Sequence, residues 1–265
     1  MSARTQTATA MALRDQSRRP LVPILLVIVP AFIVLWSVAI TTATPRRIEL
    51  AGGAWVTTTM KALHGPEMAK FTVAFVTALV GVFIMRASLQ GDRRLVVAGY
   101  RIGEAILARL AVLAVAIAIV VAVAAAVVAI NLTPASWPPV IAALLLTGLI
   151  YGAIGVLAGA LLDKLAATYA ILFLVMVDLS VVQTPMFHAR PARFADILPG
   201  YGPTRVMLEG TFAHSFNAAG ALLLALGWAA GLGLAVVLVL RRTIGVTAKA
   251  GVHRYPLGVS SRGVR

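Results

Sequence analysis

The stretch Ala111-Val-Leu-Ala-Val-Ala-Ile-Ala-Ile-Val-Val-Ala-Val-Ala-Ala-Ala-Val-Val-Ala-Ile130 is built only from Ala, Val, Ile and Leu. About twenty such residues, wound as a helix, match the hydrocarbon core of a bilayer. A membrane strand would instead need segments of about ten residues that alternate between apolar and polar, and no alternation survives here. Around this block the apolar runs fall at 21–43, 69–90, 102–131, 138–162, 165–184 and 215–240. Of the 265 residues, 60% are hydrophobic and 12% charged, and mean hydropathy is +0.95, whereas about a quarter of an ordinary globular chain is charged. The expected fold is all-α, an integral membrane bundle of six transmembrane helices with both termini cytoplasmic.

The net charge of +14 would suit a nucleic-acid binder, so its placement decides between a basic groove and membrane topology. With the N-terminus inside, the inner segments hold 16 Lys and Arg: Arg4, Arg14, Arg18, Arg19, Arg86, Arg93, Arg94, Arg101, Arg109, Lys164 and six in the tail. The outer segments hold the other 7, namely Arg46, Arg47, Lys61, Lys70, Arg190, Arg193 and Arg205. This asymmetry follows the positive-inside rule, and no nucleic acid is needed to explain the charge. The chain therefore divides into a basic cytoplasmic N-terminus (1–20), a six-span membrane domain (21–240) and a basic cytoplasmic tail (241–265). The first run is longer than the 7 to 15 or so apolar residues of a cleaved signal peptide, so it is read as a true span. With no cysteine, disulfides and thiolate metal sites are excluded.

The connections differ in kind. Asn131–Pro139 is tight and Pro-rich and Asp163-Lys164 is shorter still, so spans three to five form an antiparallel set. The extracellular segments 44–68 and 185–214 mix Trp55, Phe187, Phe194 and Phe212 with Gly and Pro, and are expected to hold short surface or re-entrant helices. From Thr243 the tail lacks an apolar period. In the fourth span Gly148, Gly152, Gly155 and Gly159 keep within about 60° of one helix face, which lets another backbone approach closely. Packing within the chain is favoured over a subunit seam. Gly220, Gly227 and Gly231 form a sparser stripe in the sixth span.

Asp178 is read as the only acidic residue well inside a span, where a charge costs about 2.5 to 3.5 kcal/mol on insertion scales. Two readings stand: a residue of the translocation path or a cation site, or a packing contact to a neighbouring Ser, Thr or Gln such as Ser180 or Gln183. Glu104 is expected to pair with Arg101 at i,i+3, and Arg109 to snorkel to the interface. The chain contains no G-x-x-x-x-G-K-[ST], H-E-x-x-H or G-x-S-x-G motif, and its histidines (His64, His188, His214, His253) lack metal-ligand spacing. No catalytic, cofactor or metal residues are expected.

Between spans two and three lies Gly91-Asp-Arg-Arg-Leu-Val-Val-Ala-Gly-Tyr-Arg-Ile-Gly-Glu-Ala-Ile-Leu-Ala-Arg109, the most charged element of the chain's interior. This order, together with Asp196-Ile-Leu-Pro-Gly-Tyr-Gly-Pro-Thr-Arg-Val-Met-Leu-Glu-Gly-Thr-Phe212 before the last span, resembles ATP-binding-cassette (ABC) transporter permeases of the type-2 export class. The family's usual Pro-x-Ser-Arg ending reads Ala98-Gly99-Tyr100-Arg101 here. The resemblance implies a coupling segment at 91–101, with Asp92, Arg93, Arg94, Leu95, Val96, Ala98, Gly99, Tyr100 and Arg101 meeting a separate ABC ATPase subunit that binds ATP and Mg. It also implies a second permease subunit, the same chain or a related one. The expected setting is the bacterial cytoplasmic membrane, with membrane lipid as a partner and a drug or lipid as cargo. The rival readings are a secondary transporter or channel using Asp178, and a membrane scaffold or sensor docking a soluble protein at 91–109.

Overall fold

The computed structural model describes residues 24–97 and 102–252. A π-helical turn, Ile24–Ile28, leads into α1 (Val29–Ile40), and strands β1 (Pro45–Glu49) and β2 (Trp55–Thr59) follow. The remaining helices are α2 (Met60–Val97), α3 (Ile102–Asn131), α4 (Trp137–Leu161), α5 (Lys164–Val175), α6 (Tyr201–Phe212) and α7 (Ala219–Val252). A π-helical stretch, Met176–Val182, continues α5. Among the described residues five helices are long and apolar enough to cross a membrane: Met60–Arg86, Ile106–Asn131, Trp137–Leu161, Lys164–Val182 and Ala219–Arg242. Leu26–Ile40 is apolar but shorter. The chain is a mostly helical, multi-pass membrane protein, and exposed apolar side chains such as Phe173, Leu161 and Leu223 give its flanks a lipid-compatible surface.

α2 is the central pillar, 72% buried along its most apolar window, and α4, 67% buried, lies against it. The two backbones nearly touch: a Cβ on Gly155 would sit 2.0 Å from the Ala78 carbonyl oxygen, and one on Gly81 2.4 Å from that of Gly152. Only glycine permits such an approach without displacing backbone. Gly148 and Gly152 face Ile117 of α3, and Gly159 faces Val82 of α2. Local chemistry sets the ends of α4 and α5. Pro residues in the first turn of α4 occupy positions whose N–H groups have no helical partner in any case. The Asp163 carboxylate caps α5, accepting from the Leu165 and Ala166 N–H groups at 2.9 Å each.

Several expectations need correction. Segment 44–68 is not helical at its start but an antiparallel hairpin, pairing Pro45 with Thr59 through Glu49 with Trp55. Its β-branched run, Val56-Thr-Thr-Thr59, favours a pleated surface, and Gly53 supplies the positive φ (75°) of the turn. Span two begins at Met60 rather than 69, because Thr59 Oγ1 accepts from the Ala62 N–H and starts the helix there. The Gly65-Pro66 pair looks like a breaker, yet Pro66 lies inside α2, where it removes a single helical donor. The final helix starts at Ala219 instead of 215 and continues to Val252, so the basic tail is helical over its first residues.

Candidate functional site

Two polar clusters meet at the first turn of α6, deep among the apolar helices. Lys70 and Glu67 lie one turn apart on α2, and both carboxylate oxygens of Glu67 accept from Lys70 Nζ at 3.0 Å. Thr204 Oγ1 of α6 accepts the third Lys70 proton at 2.7 Å and itself donates to the Gly200 carbonyl at 2.7 Å. Lys70 is 0% and Glu67 2% exposed. Burial of a charged pair is tolerable only when the remaining donors and acceptors are met, and here all three ammonium protons have acceptors. Lys70 is therefore not an outer-loop cation, and Asp178 is not the only acid inside a span. The earlier start of α2 is the reason: ten residues beyond Met60, Lys70 lies roughly 15 Å along the helix axis.

The second cluster centres on Asp178, held on the π-helical stretch after α5 and 1% exposed. Its Oδ2 accepts from the Tyr151 hydroxyl of α4 at 2.5 Å and from the Gly200 N–H at 3.0 Å. The sequence neighbour Gln183 donates its backbone N–H to the Asp178 backbone carbonyl at 2.9 Å and its side-chain amide to the Ala195 carbonyl at 2.8 Å. Tyr151 is a partner that chain proximity could not have named, since it lies 27 residues earlier. Gly200 has no room for a side chain: a Cβ there would lie 2.4 Å from Leu179, 2.8 Å from the Asp178 carboxylate and 2.9 Å from the Tyr151 hydroxyl.

The rest of α6 is fastened in the same manner. Every residue from Gly202 to Thr211 is buried. Arg205 Nη1 donates to the Glu49 carbonyl of β1 at 2.8 Å, and Glu209 accepts from the Ala51 N–H at 3.1 Å and the Asn217 N–H at 3.0 Å. The terminal carbonyls of α6 receive the N–H groups of Ala135 and Ser136, at the entry to α4. A helix of 12 residues is too short to cross a bilayer, and α6 is clasped instead by α2, α4, α7 and the hairpin, with Gly202 against Ala221 and Ala225 of α7. The arrangement joins hydroxyls to ionisable groups at Thr204–Lys70 and Tyr151–Asp178. It is a polar joint that fixes one short helix to several long ones.

The structure does not bring the coupling-segment residues into this joint. Asp92, Arg93, Arg94, Leu95 and Val96 continue α2 beyond its apolar span, and Ala98, Gly99, Tyr100 and Arg101 lie outside the described residues. Gly148, Gly152, Gly155 and Gly159 all face α2 or α3. His64 has its Nδ1 3.2 Å from Met186 Sδ, and among the described residues no group of three His, Cys, Asp or Glu side chains is placed to hold a metal ion. Compared with known proteins, the chain matches no family model and no curated sequence.

Proposed function

We propose that this chain is the permease subunit of an ATP-binding-cassette exporter, moving a hydrophobic or amphipathic substrate, a drug or a lipid, out of the cytoplasm or the inner leaflet. One observation carries the reading: α2 runs beyond its apolar span, from Arg86 to Val97, and α3 begins at Ile102. At 1.5 Å per residue that extension projects roughly 16 Å past the span and bears Arg93 and Arg94, a basic lever suited to a soluble motor. The sequence resemblance at 91–109 and 196–212 supports the same assignment. In this reading the π-helical turn and α1 together, residues 24–40, belong to the first of six spans, both termini face the cytoplasm of a bacterium, and two permease subunits act with two ATPase subunits that carry ATP and Mg. ATPase closure would then shift the permease pair between inward and outward states.

Purification in mild detergent followed by mass spectrometry is expected to recover a P-loop ATPase, and reconstitution of the pair into vesicles to give ATP-dependent substrate movement. Isolation of an active transporter without any such subunit would sink the proposal. The buried Asp178 and Lys70 favour one second reading, a secondary transporter. In that case gradient-driven flux would run without ATP and would be lost in Asp178→Asn.

A further inference from the structure

The hairpin end carries a surface that the packing of the chain leaves unused. Strand alternation turns Ile48 and Val56 inward, onto Leu50, Leu63 and Leu208, and leaves Arg47, Glu49 and Trp55 on the outward face. The Trp55 ring has the guanidinium carbon of Arg47 4.9 Å from its centroid and that of Arg190 5.1 Å away. Glu49 steadies Arg190, Oε2 to Nε at 2.6 Å, although the Arg190 side chain remains 68% exposed. The segment bearing Arg190 is tied along β1 by the Glu49 N–H to the Ala189 carbonyl (3.0 Å) and Arg46 Nη2 to the Phe187 carbonyl (3.2 Å). That segment exposes Phe187 and Phe194.

Depth supplies the second half of the argument. The span Met60–Arg86 has 27 residues, and at 1.5 Å each it measures about 40 Å against a hydrocarbon core of about 30 Å. The hairpin leads directly into Met60, so it lies just past the hydrocarbon boundary, at the level of lipid phosphates. Trp rings settle at that level and Phe rings just beneath it, at the acyl boundary, and a guanidinium laid over an indole keeps donors available to a phosphate. A soluble anion would use the two charges but would have no use for the exposed Phe187 and Phe194.

We propose that this surface docks acidic phospholipid headgroups of the leaflet at the hairpin end, with Arg47 and Arg190, aligned on Trp55, holding the phosphate and the phenylalanines entering the acyl boundary. The assignment holds whichever machine the bundle serves. It is tested by titrating the full-length protein in mild detergent with phosphatidylglycerol and reading bound lipid by native mass spectrometry. R47Q/R190Q is expected to weaken lipid binding by about thirtyfold, since one surface guanidinium contributes roughly fivefold, while R241Q/R242Q, at the opposite end of α7, leaves this site occupied. A matched melting profile establishes that the first variant is folded. Equal lipid retention by R47Q/R190Q and the wild type would overturn the proposal, as would displacement of the lipid by inorganic phosphate, which would mark a soluble-anion site instead.

Discussion

α4 and α7 carry glycines at the same helical spacing, and the tertiary structure uses them in opposite ways. In α4 each of the four glycines meets a neighbouring helix, with Gly155 against the Ala78 backbone. In α7 a Cβ at Gly220, Gly227 or Gly231 would meet nothing within 4 Å, and only 11% of the helix's apolar window is buried. Small-residue periodicity thus states that a backbone can be approached. It does not say by what, because the partner helix lies elsewhere in the chain or outside it.

The largest effect that would sharpen this contrast lies in the wedge of α2, α4 and α6. Lys70→Met leaves the Glu67 carboxylate buried without its counter-ion and should cost about 3–5 kcal/mol, with partial recovery on adding Glu67→Gln. Melting in mild detergent reads both, and a wild-type profile for the single variant would mean that the pair is not tightly buried. Next comes the direct comparison of glycines. Gly155→Ala should destabilise by about 3 kcal/mol because its methyl group meets backbone, whereas Gly227→Ala should stay within about 0.5 kcal/mol. Equal losses at the two positions would erase the distinction between a packed stripe and an open one.

The smallest effect concerns the cap of α5. The Ala166 N–H, then the Leu165 N–H and the nearby Arg86, hold the exposed Asp163 carboxyl below its ordinary value of 3.8. A depressed folded value means that the stabilisation is complete above the unfolded pKa and is lost as pH falls through the folded one. Protection of the Leu165 and Ala166 amides against hydrogen exchange should therefore weaken on acidification in the wild type and change less in Asp163→Asn. Identical pH profiles would show that the cap does not depend on charge.

Five long apolar helices were legible because apolar length is a local property, whereas the run read at 21–43 contains only the shorter helix Leu26–Ile40 among the described residues. The runs read at 102–131, 138–162 and 165–184 fall within two residues of α3 (Ile102–Asn131), α4 (Trp137–Leu161) and Lys164–Val182. The hairpin left traces in Gly52-Gly53 and the threonine run, but these were outweighed by the aromatic and Pro content of the segment. The polar joint was less accessible. Glu67 and Lys70 have the i,i+3 spacing of an ordinary surface pair, and only their contact with Thr204, 134 residues later, reveals them as interior groups.

From the amino-acid order alone came a membrane-spanning helical protein, the turns that reverse it and the glycine faces that permit close packing, because hydropathy and helical period act over a few turns of one chain segment. Which face packs, that α6 is buried along nearly its whole length, and that Asp178 reaches Tyr151 and Gly200 were decided only in three dimensions. A buried polar group must find its partner wherever the fold brings one within about 3 Å, and sequence distance places no bound on that search.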